Sequence, residues 1–152
     1  MRYIVVPVVS LTETGSGSSS APPAEPCDDA LAHWVSAACR SLDACLVVDV
    51  SGTVSALSPT AAELLGTEAD AIVGRVLDDV LHLVDFTDGR HEARGAERRI
   101  PPLIAVRENS LSRGMMRVRR PDGARLMLDA VAAPIHDNER NPVGAVSFLA
   151  AV

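Results

Sequence analysis

The sequence predicts an α+β fold, a five-stranded antiparallel sheet with short helices on one face and an amphipathic helix ahead of it. Three observations carry that expectation. Apolar residues at Leu31, Trp34, Val35, Ala38, Cys39 and Leu42 repeat at helical spacing. Strand-like runs at 44–50, 115–120, 124–133 and 143–152 are separated by turn residues. Between the early and late strands, Ser-Pro starts and Gly stops punctuate several short helical patterns.

The chain is one domain in length, with 152 residues and 47% hydrophobic content. Aromatics make up only 3% of it, so the core must be aliphatic. A net charge of −6 argues against nonspecific nucleic-acid binding, which needs cations to neutralise phosphates. No stretch approaches the ~20 apolar residues of a membrane helix. The first apolar run, IVVPVVSL, is short, contains Pro7 and makes a poor secretory signal. Cys27, Cys39 and Cys45 have unrelated spacings that fit neither a disulfide framework nor a zinc site. A reduced, cytoplasmic setting is the expectation.

In chain order, residues 1–10 are β-branched and suit an edge strand, because Pro7 lacks a donor. Residues 12–26 form a Gly/Ser/Pro linker, so the expected division is 1–27 edge strand and linker, 28–41 helix, and 42–152 globular domain. Asp28 is placed to cap the helix. The strand at 44–50 turns at Ser51-Gly52 into TVSAL. Ser58 caps the next helix with Pro59 at its first position, and Gly66 ends it. Thr67 and Asp70 suggest a second, weaker capping pair, with Gly74 as the stop. Leu77, Val80, Leu81 and Val84 suggest a third helix. Residues 85–99 are charged and aperiodic, which predicts a mobile loop. Pro101-Pro102 opens a helix through Leu103, Val106 and Asn109. Two strands then flank Pro121-Asp122-Gly123, with Arg117, Arg119, Arg125 and Asp129 outward and Met116, Val118, Leu126, Leu128 and Ala130 inward. A polar turn at 136–141 precedes the last strand.

The ordered marks Asp49 and Gly52, Ala62 and Leu65-Gly66, Val73-Gly74, Asp122-Gly123, and Pro134, Asp137 and Gly144 resemble those of PAS sensor domains across about 42–152. Residues 28–41 are similar to the amphipathic helix that often precedes PAS cores. Two departures stand out: Ser58 replaces a common Asn, and the sequence stops at Val152, where multidomain PAS proteins usually continue through a junction into an effector, which suggests either a stand-alone module or a piece of something longer.

The resemblance implies a non-catalytic sensor or interaction module of bacterial signal transduction. A small apolar ligand would sit in a pocket lined by Val84, Leu103, Val106, Met116, Val118, Leu126, Leu128 and Phe148. The signal would pass through a dimer or relay helix bearing Leu31, Trp34, Val35, Ala38 and Leu42. A homodimer or a partner signalling protein is the expected associate, with no nucleic acid and no membrane. The alternatives are a ligand-free homodimerisation or adaptor domain, or a fragment of a larger sensor kinase, phosphatase or transcription regulator.

No cofactor or metal is predicted. The flavin-binding PAS branch needs a reactive cysteine after the position of Gly74, where RVLDDVLHL stands, so flavin is disfavoured. Haem is also disfavoured, because residues 102–110 hold no histidine for the iron. His33, His82, His91 and His136 are expected at the surface. Cys39 and Cys45 are expected in the core and Cys27 at the surface. Arg113, Arg117, Arg119, Arg120 and Arg125 suggest either a solvated rim or a surface for an acidic partner. No nucleophile–base arrangement stands out, so catalysis has no candidate residues.

Overall fold

The computed structural model describes residues 29–152. The expected strand and linker at 1–27, and the cap at Asp28, lie outside the described residues. Helix α1 (Asp29–Cys39) leads into β1 (Cys45–Asp49) and β2 (Val54–Leu57). Three short helices follow: α2 (Pro59–Leu65), α3 (Ala69–Ile72) and α4 (Leu77–Val80). After a single 3₁₀ turn at Gly95–Glu97 come α5 (Pro101–Glu108), β3 (Ser112–Arg119), β4 (Arg125–His136) and β5 (Pro142–Ala151). The sheet has five strands in the order β2-β1-β5-β4-β3, with antiparallel neighbours throughout.

Local chemistry explains the connections. Asp49 Oδ1 accepts from the Ser51 and Thr53 amides, and Gly52 takes φ +81 to complete the β1–β2 turn. Ser58 Oγ accepts from the Ala61 amide at the start of α2 and from the Cys45 amide, and donates to the Asp43 carbonyl. One buried hydroxyl thus caps a helix and ties it to β1. Gly66, at φ +68, closes α2 by donating to the Ala62 and Glu63 carbonyls.

Two helix expectations need correction. Helix α3 begins after Glu68 with no side-chain cap, and the Thr67 hydroxyl donates to the Glu68 carbonyl instead. Helix α4 stops at Val80, although Leu81 and Val84 fit its spacing. The backbone from His82 to Val84 is taken by β3: the Val84 amide donates to the Arg117 carbonyl, and the Arg119 amide donates to the His82 carbonyl. Strand pairing outcompetes a helix that would gain only one further turn.

The same stretch serves the opposite edge of the sheet. The Gly74 amide donates to the Val54 carbonyl, and the Val54 amide to the Arg75 carbonyl. Residues 74–84 therefore cover part of both β2 and β3, the two outermost strands. Covering an edge removes its capacity to template aggregation.

Within residues 85–99, residues 85–91 form a turn built on polar contacts. Asp85 Oδ1 accepts from the Thr87, Asp88 and Gly89 amides, and Oδ2 accepts from the His91 amide. Arg117 and Arg119 donate side-chain bonds to the carbonyls of Asp85, Gly89 and Arg90. The absence of hydrophobic periodicity hid a turn built from polar contacts.

The sheet is covered on both faces. On its inner face, Leu46, Val48, Met116, Val118, Leu128 and Ala130 pack with Leu65, Ile72, Leu77 and Ala105 from the helices. On its outer face, Leu31, Val35 and Ala38 of α1 pack on Cys45, Val47, Ala56, Ile135 and Val146. Gly144 permits this approach, because a Cβ there would overlap the Val48 carbonyl and crowd Leu31.

Candidate functional site

The expected pocket lining divides between the two faces. Met116, Val118 and Leu128 are buried in the inner core, and Leu103, Val106 and Leu126 pack against them. Val84 is also buried, on the strand-like stretch after α4 rather than on a helix. Phe148 does not join them. It pairs with Cys45 and Val131 and packs in the outer cluster beneath α1. Strand β5 is buried on both faces from Gly144 to Ser147, so alternation could not assign its sides.

Concavities lie at the rim of this core. A cleft of about 200 Å³ opens between α2, α3, α4 and β3, with an apolar floor including Leu65, Ile72, Leu81 and Val118. Arg75, Asp79 and His82 supply its polar margin. Apart from Val118, none of the residues expected to line a pocket reaches it. The missed signal was Leu65 and Ile72, the apolar residues just before the stops of two short helices. A broader, shallow cleft of about 990 Å³ runs past Cys39, Pro59, Glu63 and Glu68.

The α1 stripe also divides. Ala38 is buried, Leu31 and Val35 are half-buried against the sheet, and Trp34 and Leu42 are exposed. Most of the stripe docks on the chain's own sheet. Cys39 is exposed, contrary to the expected core position, because the residue after Ala38 has rotated off the docking face. Cys45 is buried, and burial pushes its thiol pKa up although the nearby Ser41 and Ser58 hydroxyls pull the other way. Cys27 lies outside the described residues.

The arginines mostly serve the fold. Arg113 makes a bidentate pair with Asp129 across β3 and β4, which lowers the Asp129 pKa. Arg117 and Arg119 hold the 85–90 turn. The Arg120 guanidinium lies over Gly66, and its Nε is buried without a hydrogen-bond partner. Four backbone amides, with His91 the strongest, hold the Asp85 carboxyl well below the usual carboxylate range.

Between α1 and the 85–91 turn, the outer face of β3–β5 is left thinly covered. Met115 is exposed there, with Met127, Val131 and Phe148 half-buried around the Arg113–Asp129 pair. All four histidines are exposed, and His136 Nε2 lies 2.5 Å from Asn109 Oδ1. Among the described residues, no group of three or more potential ligands is placed to hold a metal.

The PAS domain family profile matches residues 42–150. This chain belongs to the PAS domain family. Solved structures agree on the fold. A PAS domain from Colwellia psychrerythraea is 20% identical and has a TM-score of 0.57; the match covers 80% of this chain and 96% of that one. A Rhodobacter sphaeroides LOV protein is 12% identical with a TM-score of 0.64, over 82% of this chain and 68% of that one. Vibrio cholerae VqmA, described as a dimer, is 15% identical with a TM-score of 0.56, over 80% of this chain and 51% of that one. No curated protein matches. Among the described residues of this PAS domain, no helix is long and apolar enough to cross a membrane.

Among the described residues no cysteine lies on the inner face, where an adduct with a flavin would need one. No cysteine occupies 75–83, and Cys39 and Cys45 lie on α1 and on the outer face of β1.

Proposed function

We propose that this PAS domain is a non-catalytic, cytoplasmic module of bacterial signal transduction that works by association through its outer face. The observation that carries this reading is the thin cover over β3–β5 beside α1. Met115 is exposed and Val131 half-buried on that surface, and Trp34 and Leu42 are exposed on and just after α1, whereas Met116, Val118 and Leu128 beneath the sheet are buried. Exposed apolar surface rimmed by charge is the ordinary mark of an interaction site. A second copy of the chain is the proposed partner, because an antiparallel sheet face can serve as a self-complementary surface.

Light scattering of the full chain tests this. The unmodified protein is expected to dimerise, and Trp34→Glu/Leu42→Glu/Val131→Glu to run as a folded monomer. A monomer at every concentration in the unmodified protein would overturn self-association.

The small cleft between α2–α4 and Val118 supports a second reading, sensing of a small apolar molecule. Its polar margin would orient a ligand of a few heavy atoms, and its walls include the 74–84 stretch that touches both sheet edges. A thermal-shift screen of small metabolites is expected to find a stabilising compound whose effect Ile72→Trp removes. An absorbance spectrum of fresh protein is expected to show no Soret or flavin band.

A further inference from the structure

The small cleft between α2, α3, α4 and β3 has a charged margin that the fold itself does not use. Its floor is aliphatic: the core reaches solvent there through Leu65, Ile72 and Leu81, 5%, 7% and 7% exposed, beside Val118. Its margin holds the Arg75 guanidinium and the Asp79 carboxylate, with His82 in the same rim. Among the described residues, no ion pair includes Arg75 or Asp79. The adjacent Asp78, by contrast, is paired with Arg98 at 2.9 Å.

All three rim residues stand on the 74–84 stretch, whose backbone is fixed at both ends. The Val54 amide donates to the Arg75 carbonyl on the β2 side, and the Arg119 amide donates to the His82 carbonyl on the β3 side. Between these anchors α4 carries Asp79, four residues after Arg75. The sheet therefore positions the rim before any ligand arrives, which lowers the ordering cost of binding.

Charge decides what the cleft takes. A plain hydrocarbon would shield Arg75 and Asp79 from water and give neither a partner. A carboxylate alone meets Asp79, and an amine alone meets Arg75. A molecule with both charges at one end and an aliphatic tail at the other suits rim and floor together. We infer that the cleft binds a small aliphatic α-amino acid, of the size of valine or leucine. Arg75 takes the carboxylate, with His82 as a second donor, and Asp79 takes the ammonium. The side chain lies on the aliphatic floor, and a volume of about 200 Å³ keeps it short. This rests on the reading of the cleft as a sensory site, and gives its ligand two charges as well as an apolar tail.

Isothermal titration of the full chain tests the inference with four ligands of one skeleton. These are leucine, isocaproate without the ammonium, isoamylamine without the carboxylate, and isoamyl alcohol without either. Leucine is expected to bind about tenfold or more tighter than each of the others, because a rim charge left without its partner weakens binding. Arg75→Gln is expected to erase the advantage of leucine over isoamylamine and keep its advantage over isocaproate. Asp79→Asn is expected to do the reverse. Neither side chain is ion-paired within the fold, so an unchanged melting temperature without ligand reports that both variants are intact. An analogue that binds as tightly as leucine would overturn the inference and leave the apolar reading of the cleft in place. No binding of leucine or valine at millimolar concentration would overturn it too. A screening hit that Ile72→Trp removes would then show that the cleft senses another class of molecule. Leucine binding that survives Ile72→Trp and both charge variants would place the site elsewhere and overturn it as well.

Discussion

The two faces of the sheet are built from the same strands and to different ends. On the inner face, Leu46, Met116 and Leu128 are almost fully buried, and four short helices close over them. On the outer face, one helix covers β1, β2, β5 and the Ile135 end of β4, and the rest of the sheet toward β3 keeps only partial cover. Two residues on β4 show the contrast: Leu128 is fully buried, and Val131 three residues on is half-buried on the other side. The inner face specifies the fold, and the outer face has apolar surface to spare for association.

The sharpest way to break this contrast is a pair of truncations on β4. Leu128→Ala is expected to cost about 2–5 kcal/mol in urea unfolding, and Val131→Ala about 1 kcal/mol or less. Equal costs would mean that the outer face is as fully packed as the inner. Next in size is Ser58→Ala, which leaves the Cys45 and Ala61 amides without their acceptor and is expected to cost about 1–3 kcal/mol. Gly66→Ala follows at about 1 kcal/mol or more. It meets both a left-handed backbone and the Arg120 guanidinium, and a lowered melting temperature would report it.

The smallest effects belong to the outer surface. Asp85 has a folded pKa well below its unfolded value near ~4, so its contribution is full above that value, declines as the pH falls below it, and is lost once the pH passes the lowered folded value. The Gly89 and His91 amides are expected to keep their exchange protection through the ordinary carboxylate range and lose it only at the acid end, below the lowered folded value. In Asp85→Asn the same amides should be less protected already at neutral pH. Arg113→Ala should barely move the unfolding midpoint, because an exposed ion pair contributes little.

Local chemistry was legible in the sequence, and competition between elements was not. Asp49-Gly52, Ser58-Pro59, Gly66 and Asp122-Gly123 each satisfy a turn or cap with neighbours in the chain, and all four form where expected. Helix α4 was overestimated because Leu81 and Val84 fit helical spacing, and nothing in the chain nearby shows that β3 needs residues 82–84. The face of Phe148 was illegible because β5 lacks alternation. Only Val118 of the expected pocket lining reaches the small cleft, since four separated elements meet there. The polar turn at 85–91 escaped notice because its order comes from one carboxylate and the arginines of a distant strand.

The strand order has a consequence in time. Neighbours β1 and β5 lie at opposite ends of the domain, with Cys45 beside Phe148. The β1–β2 hairpin and the β3–β4 hairpin can each form from near neighbours, but neither meets the other until β5 slides between them. Such non-local closure places the fold among slower folders. During synthesis the β1 edge of the early hairpin must wait, without its partner strand, until nearly the whole domain has left the ribosome.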